Sequence, residues 1–328
     1  MNFYSKKKAG RLVAAALVAG TLLSAAAAQA AEKVRIALGD VASVETLSLL
    51  VALERAKENG LEYDLTTFAK EELAIQSIIS GQMDLGIGSP YAVIQKSKAP
   101  IRNMFQLSKL VFFPVTEVKY KSWADMDGEP ITLHSRGGGT EAIANIIAKR
   151  EGITFGQRSY VPGSENRIVA MLKGQINASI VDISNKNILL EKGEGRFHTL
   201  PGLAGKASDE ILFANSNWIQ ENEESVAILM DALVKTWREV NEDPTIVDRE
   251  RKRLNLLSDL PAELLADVDA YYAEAVEGGL YDPSGGGEAA AKADFEFYAE
   301  AGQLQGDPAT LKVEDFWDLG PLNKALEK

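Results

Sequence analysis

The 328-residue sequence contains no cysteine. Disulfides, thiolate metal ligands, thiol nucleophiles and a lipid-modified N-terminal cysteine are therefore excluded, and core burial alone must hold the fold. Histidine is nearly absent: His134 and His198 are the only two, and they sit in separate strand-like segments. So sparse a set does not suggest a histidine metal centre or a catalytic triad. No catalytic residue, metal ligand or cofactor is assigned, and the chain does not read as an enzyme. Positive charge is also short, with 35 Lys and Arg against 47 Asp and Glu and a net charge of −12. Nucleic acid and anionic membranes both call for basic surface, so neither is an expected partner.

Beyond residue 30 the chain has no run of eighteen apolar residues, so no direct membrane insertion is expected and the remainder should be soluble. The first thirty residues differ. Lys6, Lys7, Lys8 and Arg11 precede an apolar stretch over 12–23, and small residues then lead to Ala28-Gln29-Ala30. This is the pattern of a secretory signal peptide over 1–30, cleaved to start the mature chain near Ala31 in the periplasm. Its loss takes the net charge to −16.

The chain states one phrase twice. Residues 72–89 read ELAIQSIISGQMDLGIGS, and 93 positions later residues 165–182 read ENRIVAMLKGQINASIVD. Each copy is an amphipathic helix, a Gly-Gln break and a short apolar strand. A helix that ends in glycine and feeds a buried strand is the second half of a βαβ unit. The flanking segments recur too. Strands are expected at 33–38, 61–68 and 83–88, with helices at 43–59, 70–80 and 90–98. The same order returns from 131 to 200, with strands near 131–134, 159–161 and 196–200 and helices at 140–151 and 185–192. Residues 102–118 form one long apolar stretch, read as a strand leaving the first unit, and 211–214 as a strand returning to it. Helices fill the rest, at 221–240, 261–277 and 289–301. The expected fold class is α/β: two doubly wound lobes joined by a two-strand hinge. Lobe 1 takes 31–116 and 210–328, and lobe 2 takes 117–209.

Particular residues sharpen this. Trp123-Ala124-Asp125-Met126-Asp127-Gly128 leads into Ile131-Thr132-Leu133, the turn at 135–141 reads SRGGGTE, and 168–182 reads IVAMLKGQINASIVD. With Phe316-Trp317-Asp318 near the end, these resemble the type II periplasmic solute-binding proteins. More narrowly, they resemble the branch serving sulfonate, taurine, nitrate and thiamine-precursor ABC importers. The resemblance implies a monomer that captures a small organic anion, a sulfonate or a carboxylate including aromatic ones, and delivers it to a membrane permease. The turn is also close to one in receptors of tripartite transporters. That partner, a sensory role and an exported enzyme on the same fold remain alternatives.

In open α/β sheets ligands sit beyond the carboxyl ends of strands, where strand order reverses. With order 2-1-3 in each lobe, four turns face the cleft. The first holds Gly39, Asp40 and Val41, and the second Ser89, Pro90 and Tyr91. The third is Ser135, Arg136, Gly137, Gly138, Gly139 and Thr140, and the fourth Asp182, Ile183 and Ser184. The third is the sharpest signal: its glycines let backbone approach a ligand, the following helix offers unpaired N–H groups, and Arg136 carries a planar fork suited to an anion.

Overall fold

The computed structural model describes residues 33–328 apart from 204, 206, 260–264, 266 and 267. The leader expected over 1–30, and the first part of the helix expected from 261, lie outside the described residues. Among these residues no helix is long and apolar enough to cross a membrane.

Two five-stranded sheets carry the architecture. The first is built from β1 (Val34–Leu38), β2 (Tyr63–Thr67), β3 (Leu85–Gly88), β4 (Ile101–Gln106) and β10 (Ile211–Asn215), in the order β2-β1-β3-β10-β4. The second holds β5 (Phe113–Glu117), β6 (Ile131–Leu133), β7 (Arg158–Tyr160), β8 (Ala178–Val181) and β9 (Phe197–Thr199), ordered β7-β6-β8-β5-β9. Each core triplet is parallel with order 2-1-3, and each fourth strand, β10 or β5, runs antiparallel beside it. The repeat supplies α2 (Glu71–Ile79) with β3, and α5 (Ser164–Leu172) with β8. In the first copy Asp84 secures the strand entry, accepting from the Arg35 backbone N–H at 2.8 Å and from its Nε at 3.0 Å.

Among the described residues the remaining α-helices are α1 (Leu47–Glu58), α3 (Tyr91–Ser97), α4 (Gly139–Glu151), α6 (Ile183–Lys192), α7 (Ser216–Glu221), α8 (Glu223–Glu242), α9 (Ile246–Leu254), α10 (Val268–Glu277), α11 (Gly287–Glu300) and α12 (Gly320–Leu326). Helices α1 and α8 bury their apolar faces on one side of the first sheet, where Phe105 meets Trp237 edge-on at 5.3 Å. The other side packs against α2, α3 and α11. Within that sheet, Gly86 leaves room for the Phe213 ring of β10, with which any Cβ would collide.

The apolar stretch at 102–118 is two strands, not one. Residues 107–112 between β4 and β5 pass from the first sheet to the second, and 200–210 bring the chain back. The two passages run side by side: the Leu107 and Leu110 N–H groups donate to the Glu210 and Ala207 carbonyls at 2.8 Å, and Asp209 N–H donates to Ser108 at 2.9 Å. Leu107 and Leu110 are themselves buried, so the crossing carries apolar side chains as the strands on either side do. The first crossing thus precedes β5 instead of following residue 116, because β5 pairs with β8 and β9.

Candidate functional site

The strand tips of both sheets converge on a small buried chamber of about 40 Å³. The first sheet contributes Asp40, Ser43 and Glu45 after β1, Glu71 from the first turn of α2, and Ser89 after β3. The second contributes His134 after β6, Gly139 and Thr140 at the start of α4, and Ser164, Glu165 and Arg167 in the first turn of α5. The crossing segments add Phe112, Asp209 and Glu210. Two further chambers share residues with it. One, of about 290 Å³, is lined by Val41, Ala42, Val44, Ile188 and Tyr271 together with Asp182, Ser184 and Asn185. The other, of about 40 Å³, lies between Asp40, Glu45 and Glu210 and the aromatic rings of Trp237 and Tyr281.

Side chains bridge the two halves here. Ser135 Oγ donates to Glu71 Oε2 at 2.7 Å, while Glu71 Oε1 accepts from the Ser89 N–H at 2.6 Å. His134 Nδ1 stands 3.6 Å from Asp40 Oδ2. Farther out, Lys186 of α6 pairs with Glu274 of α10 at 3.0 Å, and Arg150 of α4 with Glu300 of α11 at 2.7 Å.

The electrostatics of the central chamber are lopsided. Six carboxylates line it, and among the described lining side chains only Arg167 and His134 can carry positive charge. Arg167 is 1% exposed and already committed. Its Nε donates to Ser179 Oγ at 3.1 Å and its Nη1 to the Val161 carbonyl at 2.8 Å; Nη2 donates to Ser164 Oγ at 2.7 Å and to the Ile180 carbonyl at 3.1 Å. Burial, and then the Arg167 charge, push His134 down to about 4, so its imidazole is neutral near pH 7. Burial lifts Asp40 to about 6, and burial followed by the Asp182 charge lifts Glu165 to about 7. Glu45, Asp209 and Glu210 are raised well above the ordinary carboxylate range, again chiefly by burial. A carboxylate withdrawn from water without a counter-charge holds its proton or waits for a cation.

The turns singled out in the sequence divide between cavity and scaffold. Asp40, Ser89, Gly139 and Thr140 line the central chamber, and Val41, Asp182 and Ser184 the larger one. Asp182 also caps α6, accepting from the Asn185 N–H at 2.9 Å. Gly39 gives Glu71 space, since a Cβ there would stand 3.1 Å from Glu71 Cγ. In the glycine turn, Gly137 takes a φ of +77°, Gly138 abuts Ser135 and Glu71, and Gly139 abuts Leu110 of the crossing. Ser135 acts through its bond to Glu71.

Arg136, expected to face the ligand, lies outside the cavities. Its side chain is exposed, with the guanidinium carbon 4.5 Å from the centre of the Tyr160 ring, and it lines none of the three chambers. The fork expected to hold an anion is spent on an aromatic face. Pro90 caps α3, and Ile183 packs in the core. Tyr91, expected near the ligand, is 1% exposed and sits among Phe295, Tyr298 and Phe316. Its hydroxyl donates to Asp294 and accepts from Trp317 Nε1, and Asp294 also accepts from Ser208 Oγ at 2.8 Å. Replacing Tyr91 with phenylalanine leaves two buried polar groups short of a partner and is expected to cost about 1–3 kcal/mol. Denaturant unfolding measures that cost, and solute affinity should not change.

Sequence reading missed Glu45, Glu71, Glu165, Arg167, Asp209 and Glu210. The repeat held part of the signal: Glu165 and Arg167 open its second copy, and Glu71 directly precedes its first. Acidic residues in a first helical turn read as partners of the helix dipole, which hid their aim into the cleft.

Two wound sheets, a double crossing and a chamber at their facing strand tips define the periplasmic binding protein fold. The model of the NMT1/THI5-like family matches residues 46–246, more than half of the chain. The protein belongs to that family. No curated protein matches the chain in sequence. Among solved structures, one from Bordetella bronchiseptica RB50 superposes with a TM-score of 0.72 at 20% identity, covering 90% of this chain and 97% of that one. The periplasmic nitrate-binding protein NrtA from Synechocystis PCC 6803 gives 0.67 at 13% identity, with 90% and 89% covered. The alkanesulfonate-binding protein SsuA from Xanthomonas axonopodis pv. citri gives 0.60 at 14% identity, with 87% and 98% covered.

Proposed function

We propose that this chain is the extracytoplasmic substrate-binding protein of an ABC importer. It is exported through the leader at 1–30, traps a small organic solute between two lobes and presents the closed form to a membrane permease. One lobe comprises 33–106 with 211–328 and the other 113–199, and the paired passages at 107–112 and 200–210 bend between them. One observation carries this reading: a chamber enclosed at the strand tips of two like-wound sheets between which the chain passes twice. Such a connection permits closure, and closure linked to ligand is how occupancy becomes a shape that a partner can read. The protein acts as a receptor and not as an enzyme, because its cavity serves to enclose and release. Native mass spectrometry of freshly purified mature protein tests this. A one-to-one small-molecule adduct, lost on denaturation, is expected; a bare mass together with silence across a broad solute panel would contradict it.

A further inference from the structure

We propose that the solute is an organic cation, its protonated nitrogen held among Asp40, Glu45, Glu165 and Glu210 and its apolar body laid against Val44, Ile188 and Tyr271. This rests on the receptor reading and goes beyond it by assigning the sign of the ligand.

Three independent observations lead there. The first is the charge balance: six carboxylates face one chamber, and its one guanidinium is tied to four protein oxygens. An anion entering this space would meet carboxylates on every side and no uncommitted cation among the described lining residues. The second is the chemistry of the unused atoms. Among the described residues Glu210 Oε2 is buried without a hydrogen-bond partner, and so is Asn185 Oδ1 on a side chain only 4% exposed. The orientation of that amide is fixed, because its Nδ2 donates to Asp182 Oδ2 at 2.8 Å and a carboxylate can only accept. Asn185 Oδ1 can only accept and so calls for a donor, and Glu210 does the same once it is ionised.

The third observation is shape. The central chamber holds about 40 Å³, enough for a charged head, while the neighbouring space of about 290 Å³ is lined largely by aliphatic and aromatic carbon. Tyr271 lines this space and Trp237 the chamber beyond Glu210, and aromatic rings suit ammonium groups better than anions. Among the described residues no three acidic or histidine side chains are arranged to hold a metal ion, so the carboxylates surround a volume instead of converging on a point. A polyatomic cation fits that spacing.

The test uses the mature chain, stripped of solute by unfolding and refolding and titrated calorimetrically at pH 8 with benzylammonium, tetramethylammonium, benzoate and zinc chloride. Binding of benzylammonium or tetramethylammonium, with benzoate at least tenfold weaker, is expected. Glu210→Gln should then weaken benzylammonium about tenfold or more while circular dichroism remains unchanged. Should that variant fail to fold, Glu45→Gln makes the same loss of charge from a different element. Benzoate binding in place of the ammonium ions overturns the assigned charge, and zinc binding in their place overturns the organic class. If all four are silent, this ligand class is wrong. Native mass spectrometry then separates the two claims: a neutral or anionic adduct leaves the receptor reading standing, whereas no adduct removes both.

Discussion

Replacing Arg167 with methionine is expected to cost the protein about 3–5 kcal/mol of folding stability, among the largest effects of any single substitution here. The guanidinium is fully buried, and its four hydrogen bonds tie α5 to β8 and to the segment after β7. Its charge also interacts with those of Asp40, Asp182, Glu165 and Glu45. Methionine fills much of the volume but leaves two serine hydroxyls and two carbonyls without their donor, and four acidic groups without their counter-charge. Denaturant unfolding of the wild type and R167M gives the difference directly. A loss under about 1 kcal/mol would mean that the surrounding acids are neutral in the native state and need no cation at all.

The ligand-free protein is expected to become less stable as pH rises from 5 to 8. Asp40 titrates near 6 and Glu165 near 7 in the folded chain, against ordinary values of 3.8 and 4.5. Folding therefore favours their protonated forms, and the stability they contribute is complete below about pH 4 and lost as pH climbs through 6 and 7. Asp294, raised to about 7 by burial, adds to the same slope, as do the raised Glu45, Asp209 and Glu210. His134 opposes it. Held near 4, its contribution is complete above 6.5 and falls away toward acid. One imidazole does not offset this many carboxyl groups, and the surface acids Asp125 and Asp243, held low by backbone and hydroxyl donors, have already ionised by pH 5. The summed loss is on the order of 2–4 kcal/mol after allowing for solvent screening at the partly open Asp40. Thermal midpoints recorded across the interval should fall, and Glu165→Gln should flatten the curve. A rising midpoint would contradict the assignment. Benzylammonium should bind more tightly at pH 8 than at pH 5, because the carboxylates that receive it are then ionised.

Much of the framework was legible because periodicity records burial. The doubled phrase at 72–89 and 165–182 marked equivalent helices and strands, and the 2-1-3 order followed from two βαβ units sharing each central strand. The crossing was less legible. Leu107 and Leu110 are buried within it, so buried apolar side chains continue where the chain leaves one sheet for the other, with Ser108 and Lys109 the only polar break. The turns after the first and third strands of each sheet were found, since strand order fixes where they open. What sequence could not yield was the charge inside. Glu45, Glu71, Glu165, Asp209 and Glu210 come from four separate segments, with no spacing to link them, and in a chain of net charge −12 five acids draw no notice. Arg136 misled for a related reason: a guanidinium beside three glycines suits an anion, but only coordinates show the Tyr160 ring that occupies it.

The absence of cysteine makes closure directly measurable. Spin labels on cysteines introduced at Lys192 and Glu277 would report the separation of α6 and α10, which touch here and are joined through Lys186 and Glu274 at 3.0 Å. Electron–electron resonance on the stripped protein should give a long, broad distance distribution, and saturating benzylammonium should collapse it to one short, narrow peak. A distribution that stays the same when calorimetry shows the site to be filled would mean that the two halves do not close on their solute.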